Sequence, residues 1–168
     1  MENFKQTNLD DNILKAVTEM GFEKPTSVQA KTIPHLLNSN TDLIATAQTG
    51  TGKTAAFGLP SIHLTDLKNR DTSTLVLCPT RELCIQIAKD LTRYSKYVDG
   101  LNILAVYGGS DIRGQIKALN KGVHIVIGTP GRTKDLIKRN KLKIGSIARI
   151  VLDEADEMLT MGFKDDLE

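Results

Sequence analysis

A chain of 168 residues, 40% hydrophobic but only 4% aromatic and without tryptophan, is expected to form one domain with a core built mainly from Ile, Leu, Val and Ala. Two cysteines without zinc-type spacing and three scattered histidines point to free buried thiols in a reducing cytoplasm, not to disulfides or a metal cluster; the polar opening MENFKQTNLDD reads as no signal peptide, and no apolar run nears the ~18 residues of a membrane span. The net charge of +2 indicates no partner, but ten Lys or Arg stand against one acid (Asp135) between Arg113 and Arg149, and seven acids against one lysine from Asp153 to Glu168, a split that fits a polyanion-binding surface beside a metal-holding one or, more plainly, solvated helix faces.

In chain order, LDDNILKAVTEM (9–20) places Leu9, Ile13, Leu14 and Val17 on one helical face, with Asp10 or Asp11 to cap it and Gly21 to end it. SVQAKTIPHLLN (27–38) reads as a second helix disturbed by Pro34. TDLIAT (41–46) reads as a short apolar strand, followed by the loop AQTGTGKT and a helix from about Lys53. Strand-like runs at 74–80, 101–109, 123–130 and 148–155 then alternate with helical stretches at 81–97, 112–122 and 132–139, and a last helical piece follows 155. These strands are apolar throughout, so both faces are buried, and strand–helix repetition of this kind predicts an α/β fold: a parallel sheet flanked by helices on both faces. Ligands bind outside the carboxyl ends of such strands, and every predicted strand ends in an unusual turn: AQTGTG, CPTRE, YGGS, GTPGR, LDEAD.

The loop Ala47–Thr54 fits the phosphate-binding pattern GxxxxGK[ST] except that Ala47 holds the first position. Gly50 and Gly52 let backbone N–H groups turn toward phosphate oxygens, Lys53 adds charge at the β and γ phosphates, Thr54 offers a hydroxyl to Mg²⁺, and the next helix points its positive end at the anion. LDEAD (152–156) brings Asp153 beside the metal, usually through water, with Glu154 next to it to orient or deprotonate a water attacking the γ-phosphate; paired acids at a helix start are the structural alternative. A guanine-reading Asn-Lys-x-Asp turn is lacking, because NKGV (120–123) puts Val123 where the carboxylate belongs. Gln29 has both a donor and an acceptor for N6 and N7 of adenine, and Phe4 could stack on the base or act as a hydrophobic staple. Thr80, Arg81, Thr129 and Arg132 suit phosphate contacts, and Gly108 and Gly109 allow close backbone approach.

GFEKPTSVQ, AQTGTGKT, PTREL, GG, TPGR and DEAD in this order resemble the DEAD-box RNA helicases, specifically the first of their two RecA-like domains, from Phe4 to the MGF at 161–163. The resemblance implies a Q motif within the first 30 residues, in which Phe22, Lys24, Thr26 and Gln29 serve the nucleotide and Phe4 stacks on adenine. It implies that Ala47, Gln48, Thr49, Gly50, Thr51, Gly52, Lys53 and Thr54 cradle the phosphates, with Lys53, Asp153 and Glu154 as the catalytic residues and Thr54 and Asp153 serving magnesium. Asp156 would tie nucleotide state to neighbouring motifs. Pro79, Thr80, Arg81, Gly108, Gly109, Thr129, Pro130, Gly131 and Arg132 would hold RNA by its backbone, largely without regard to sequence. Cys84 and the TKDLI after TPGR depart from the family's usual Ala and Leu pair without touching this chemistry.

ATP and Mg²⁺ are thus the expected cofactors, and single-stranded or duplex RNA the partner of a cytoplasmic monomer. The span 1–168 is expected to be a C-terminally truncated first domain, without the family's Ser-Ala-Thr motif or second RecA-like domain, and nearly inactive alone. A P-loop ATPase acting on DNA or protein, and a non-catalytic RNA-clamping module, are the competing expectations.

Overall fold

The computed structural model describes residues 2–167; Met1 and Glu168, the ends of the expected domain span, lie outside them. The chain divides into two compact units, residues 1–64 with 90–99, and residues 65–89 with 100–168.

The first unit is helical. A short 3-10 turn, Phe4–Thr7, precedes helix α1 (Asp11–Glu19), capped by Asp10, whose carboxylate accepts from the Asn12 N–H at 2.8 Å. Helix α2 (Ser27–Asn38) packs on α3 (Lys53–His63). Pro34 does not break α2, which runs through it, and the Pro34 carbonyl accepts from the Asn38 side chain at 2.8 Å. Ile13, Val17, Ile33, Leu59, Leu91 and Tyr94 are buried in this unit. Gly58 gives Leu91 room: a Cβ there would stand 2.8 Å from Leu91 Cδ1.

The second unit holds the sheet. Strands β1 (Thr74–Leu77), β2 (Ile103–Val106), β3 (Ile125–Gly128) and β4 (Arg149–Leu152) are all parallel, in the order β2-β3-β1-β4. The two central strands, β1 and β3, are buried at every residue. Period-two alternation sends Leu75, Leu77 and Val126 to one face, where they pack with Leu136 and Met158. These two come from helices α6 (Pro130–Lys138) and α7 (Ala155–Thr160), and Ile112, Ile116 and Leu119 of α5 (Ile112–Lys121) pack against the same cluster. Val76, Ile125 and Ile127 face the other side, where Cys84 of α4 (Arg81–Tyr94) lies under the Ile127 carbonyl at 3.1 Å. A final turn, α8 (Lys164–Leu167), packs on α6. The parallel sheet flanked by helices is the expected architecture.

The strands are shorter than their apolar runs because the last residues of each run already belong to the turns. The expected strand at 41–46 does not form. Residues 43–48 have no regular structure, Ile44 is 95% exposed, and the segment has no ladder partner among the described residues. An apolar run becomes a strand only when a neighbouring backbone takes up its N–H and C=O groups.

Candidate functional site

In the first unit, the loop 47–54 runs into α3. Gly50 and Gly52 both take left-handed φ, +82° and +86°, Gly52 caps α3, and Lys53 is the first helical residue. The first N–H groups of an α-helix have no intrahelical partner, and a loop that leads into such a start is suited to an anion. The Thr51 hydroxyl donates to the Gln48 carbonyl at 2.6 Å, which tightens the turn.

Gln29 joins this loop to the segment before it. Its side-chain oxygen accepts from the Thr26 N–H at 3.0 Å, and its own N–H donates to the Thr26 hydroxyl at 3.4 Å, a capping box at the start of α2. Its side-chain nitrogen donates to the Gly52 carbonyl at 3.1 Å, and the residue is only 3% exposed. One N–H and one lone pair of the amide remain after these bonds. Phe4 is buried with its ring 5.8 Å from that of Phe22, which meets Tyr94 edge-on at 6.0 Å. Ala47 and Thr54 are partly buried, while Lys24, Gln48 and Thr49 are exposed.

In the second unit, strand register puts four turns at one level. Leu77 lies opposite both Gly128 and Leu152, and Val106 opposite Gly128. The residues just beyond them therefore line the carboxyl edge together: Pro79–Arg81, Tyr107–Ser110, Thr129–Arg132 and Asp153–Glu154. Thr80 caps α4 by accepting from the Leu83 N–H at 3.2 Å. Arg81 lies over the Tyr107 ring at 5.0 Å, and Gly109, at φ +77°, leaves space beside the guanidinium. Pro130 opens α6 at its first turn, where the missing N–H costs nothing. A groove of about 470 Å³ is lined by Pro79, Gly108, Thr129, Gly131, Arg132, Asp135 and Phe163.

Three lining or bridging residues, Gln115, Asp135 and Phe163, are given no site role by the motifs, although Phe163 ends the MGF that closes the resemblance. Gln115 donates to the Tyr107 carbonyl at 3.2 Å and to the Ser110 hydroxyl at 2.8 Å, and accepts from Arg132 at 3.0 Å. A polar residue on the apolar stripe Ile112–Ile116–Leu119 was the available hint. Asp135 and Phe163 enter the groove from α6 and from the turn after α7, positions that only the fold brings together.

Asp153 is 8% exposed, and its N–H continues the β1–β4 ladder by donating to the Leu77 carbonyl at 2.9 Å. Glu154 caps α7 at φ +54°, a left-handed backbone for a residue with a Cβ. Asp156 is exposed in the first turn of α7. Beneath the turns, Cys78 and Cys84 are free and buried; contact with Cys84 and then burial push the Cys78 thiol up, so it stays protonated.

A family model described as DEAD/DEAH box helicase matches residues 26–168. The chain is 54% identical over 168 residues to the ATP-dependent RNA helicase CshA of Listeria monocytogenes serovar 1/2a, a match covering all of this chain and 32% of that protein. It is 48% identical over 165 residues to the ATP-dependent RNA helicase DeaD of Klebsiella pneumoniae, 98% of this chain and 26% of that protein. It therefore spans about a third or less of the length of these relatives. Among solved structures it is similar to a DEAD box protein from the hyperthermophile Methanococcus jannaschii, with a TM-score of 0.93 and 48% identity over 98% of this chain and 45% of that one.

Proposed function

The chain belongs to the DEAD/DEAH box helicase family, and from that premise we propose that it is the ATP- and RNA-binding first core domain of a helicase that couples ATP hydrolysis to the separation of short RNA duplexes. The observation that carries the nucleotide half is the pair of left-handed glycines, Gly50 and Gly52, leading into α3 with Lys53 at its first position. Backbone N–H groups and the helix terminus receive the phosphates there, and Lys53 stabilises the charge that grows at the transferred phosphoryl. The remaining N–H and lone pair of Gln29 match N7 and N6 of adenine. Phe4, Phe22, Lys24 and Thr26 frame that base contact, and residues 47–54 frame the phosphates.

Asp153 and Glu154 serve the metal and the attacking water. Magnesium keeps waters and phosphate oxygens and takes few protein ligands; the Thr54 hydroxyl and the Asp153 carboxylate are the groups assigned to it. Magnesium supplies charge neutralisation at the phosphates when bound. Glu154 orients the water and takes its proton.

The groove at the carboxyl edge receives RNA by its backbone. Thr80, Arg81, Thr129 and Arg132 meet phosphates, and Pro79, Gly108, Gly109, Pro130 and Gly131 permit close approach. The names of the relatives, RNA helicase in each case, support this substrate class. None of the assigned residues offers an arginine to the γ-phosphate, a contact worth about 10³–10⁵-fold in P-loop enzymes, so slow turnover by this chain is expected, with a second RecA-like domain of the whole protein as its partner. Two buried free thiols favour a reducing cytoplasm, and the chain is taken as a monomer; among the described residues no helix is long and apolar enough to cross a membrane.

Calorimetry with ATP and with inorganic triphosphate tests the base assignment. Gln29→Ala should weaken ATP about tenfold, one hydrogen-bonded contact, and leave triphosphate nearly unchanged. Equal loss for both ligands refutes it and leaves Gln29 as a brace for the loop alone.

A further inference from the structure

We infer that Gln115 is the positioning residue of the RNA groove: its buried amide sets Arg132 and the 107–110 turn at a fixed spacing, so that their phosphate contacts are made together. The inference rests on the reading of that groove as an RNA site. Gln115 is 7% exposed, and its two ends have separate tasks. The side-chain nitrogen donates to the Tyr107 carbonyl at 3.2 Å and the Ser110 hydroxyl at 2.8 Å, the two residues that bracket Gly108 and Gly109. The side-chain oxygen accepts from one terminal nitrogen of Arg132 at 3.0 Å, while the other donates to the Ser110 carbonyl at 3.2 Å.

The guanidinium is thereby held at two points, and its other N–H groups are left for the groove that Arg132 lines. The amide bonds to both the turn and the arginine. Gln115 is buried, and it is not among the residues that line the groove. A planar fork with one anchor swings; with two it presents a fixed plane to a phosphate, and less rotamer freedom is lost on binding.

The test is binding of fluorescein-labelled oligouridine to the chain by anisotropy across a salt series, for wild type, Gln115→Leu, Arg132→Ala and the double variant. Gln115→Leu is expected to weaken binding about tenfold, the loss of one charge-assisted contact, and to flatten the slope of log K on log salt by about 0.7, one phosphate on a single strand. In the double variant the two losses should not add, because Gln115 acts through Arg132. Gln115→Asn keeps the amide one methylene short; it serves if Gln115→Leu does not fold, and should show the same salt signature. Additive losses, or a folded Gln115 variant with wild-type affinity and slope, overturn the positioning role while the groove reading stands. Wild-type affinity in Arg132→Ala, or no binding by wild type, overturns the groove reading and this inference with it.

Discussion

Gly52 meets two demands that no other residue satisfies. Its φ of +86° costs a residue with a Cβ about 1–2 kcal/mol, and that Cβ would stand 2.2 Å from the Gln29 side-chain nitrogen. Gly52→Ala should therefore lose ATP binding and some stability together, read by calorimetry and a urea melt; retained ATP affinity would mean that the loop tolerates a shifted Gln29. Gly128 is tighter still: a Cβ there meets Thr133 Oγ1 at 2.1 Å and Val106 Cγ2 at 2.9 Å. Gly128→Ala should cost about 1–3 kcal/mol of overpacking in a denaturant melt, less in a Thr133→Ala background. The Thr133 hydroxyl is itself buried without a hydrogen-bond partner among the described residues, so Thr133→Val should raise stability by about 1 kcal/mol. Tyr94 gives a pH dependence. Burial, with Asp90 second, pushes its phenol up to about 12 from the ordinary 10. The folded chain thus keeps a proton that the unfolded chain has lost, so stability is full below pH 10 and falls as pH rises toward 12, by about 2–3 kcal/mol. Tyr94→Phe should flatten that fall in urea midpoints taken across the range; an unchanged slope assigns it to another group.

At the scale of elements, strand β4 differs from its neighbours. Among the described residues it pairs with β1 alone, and its alternate residues Ile150 and Leu152 are 64% and 48% exposed. An edge strand with an apolar face invites pairing with another chain. Ile150→Lys is expected to suppress self-association at high protein concentration in sedimentation velocity while changing stability by no more than about 0.5 kcal/mol; association that persists places the contact elsewhere. Runs such as TLVL (74–77) and IVIG (125–128) were legible as strands because both their faces are buried and no polar residue interrupts them. TDLIAT carries the same composition but lies outside the sheet, since composition reports the wish for a covered face and not the presence of a partner. Pro34 misled in the opposite direction: the helix kept its course past it.

For the whole molecule, what a motif could disclose was local. The loop 47–54, the turn glycines and the acids after β4 announce themselves because the chemistry proposed for them needs those residue types at close spacing. Gln115 and Asp135 did not, and the MGF signalled the family without giving Phe163 a place, because the sequence separates all three from the turns they join and only strand register brings them to one edge. The basic segment 113–149 likewise resolves into different places: Arg132 lines the groove, Arg139 pairs with Asp135 at 2.8 Å, and Arg149 reaches Thr74 at 3.1 Å at the start of the sheet. Its net charge therefore overstates the positive charge at the groove. The central claim is that residues 47–54 enclose a nucleotide's phosphates, and phosphorus NMR of ATP titrated with the chain and magnesium tests it most directly. The β and γ resonances should shift and broaden on addition of wild type and stay at their free positions with Lys53→Ala. Bound ATP with unperturbed β and γ resonances, or the same perturbation with Lys53→Ala, would contradict the account.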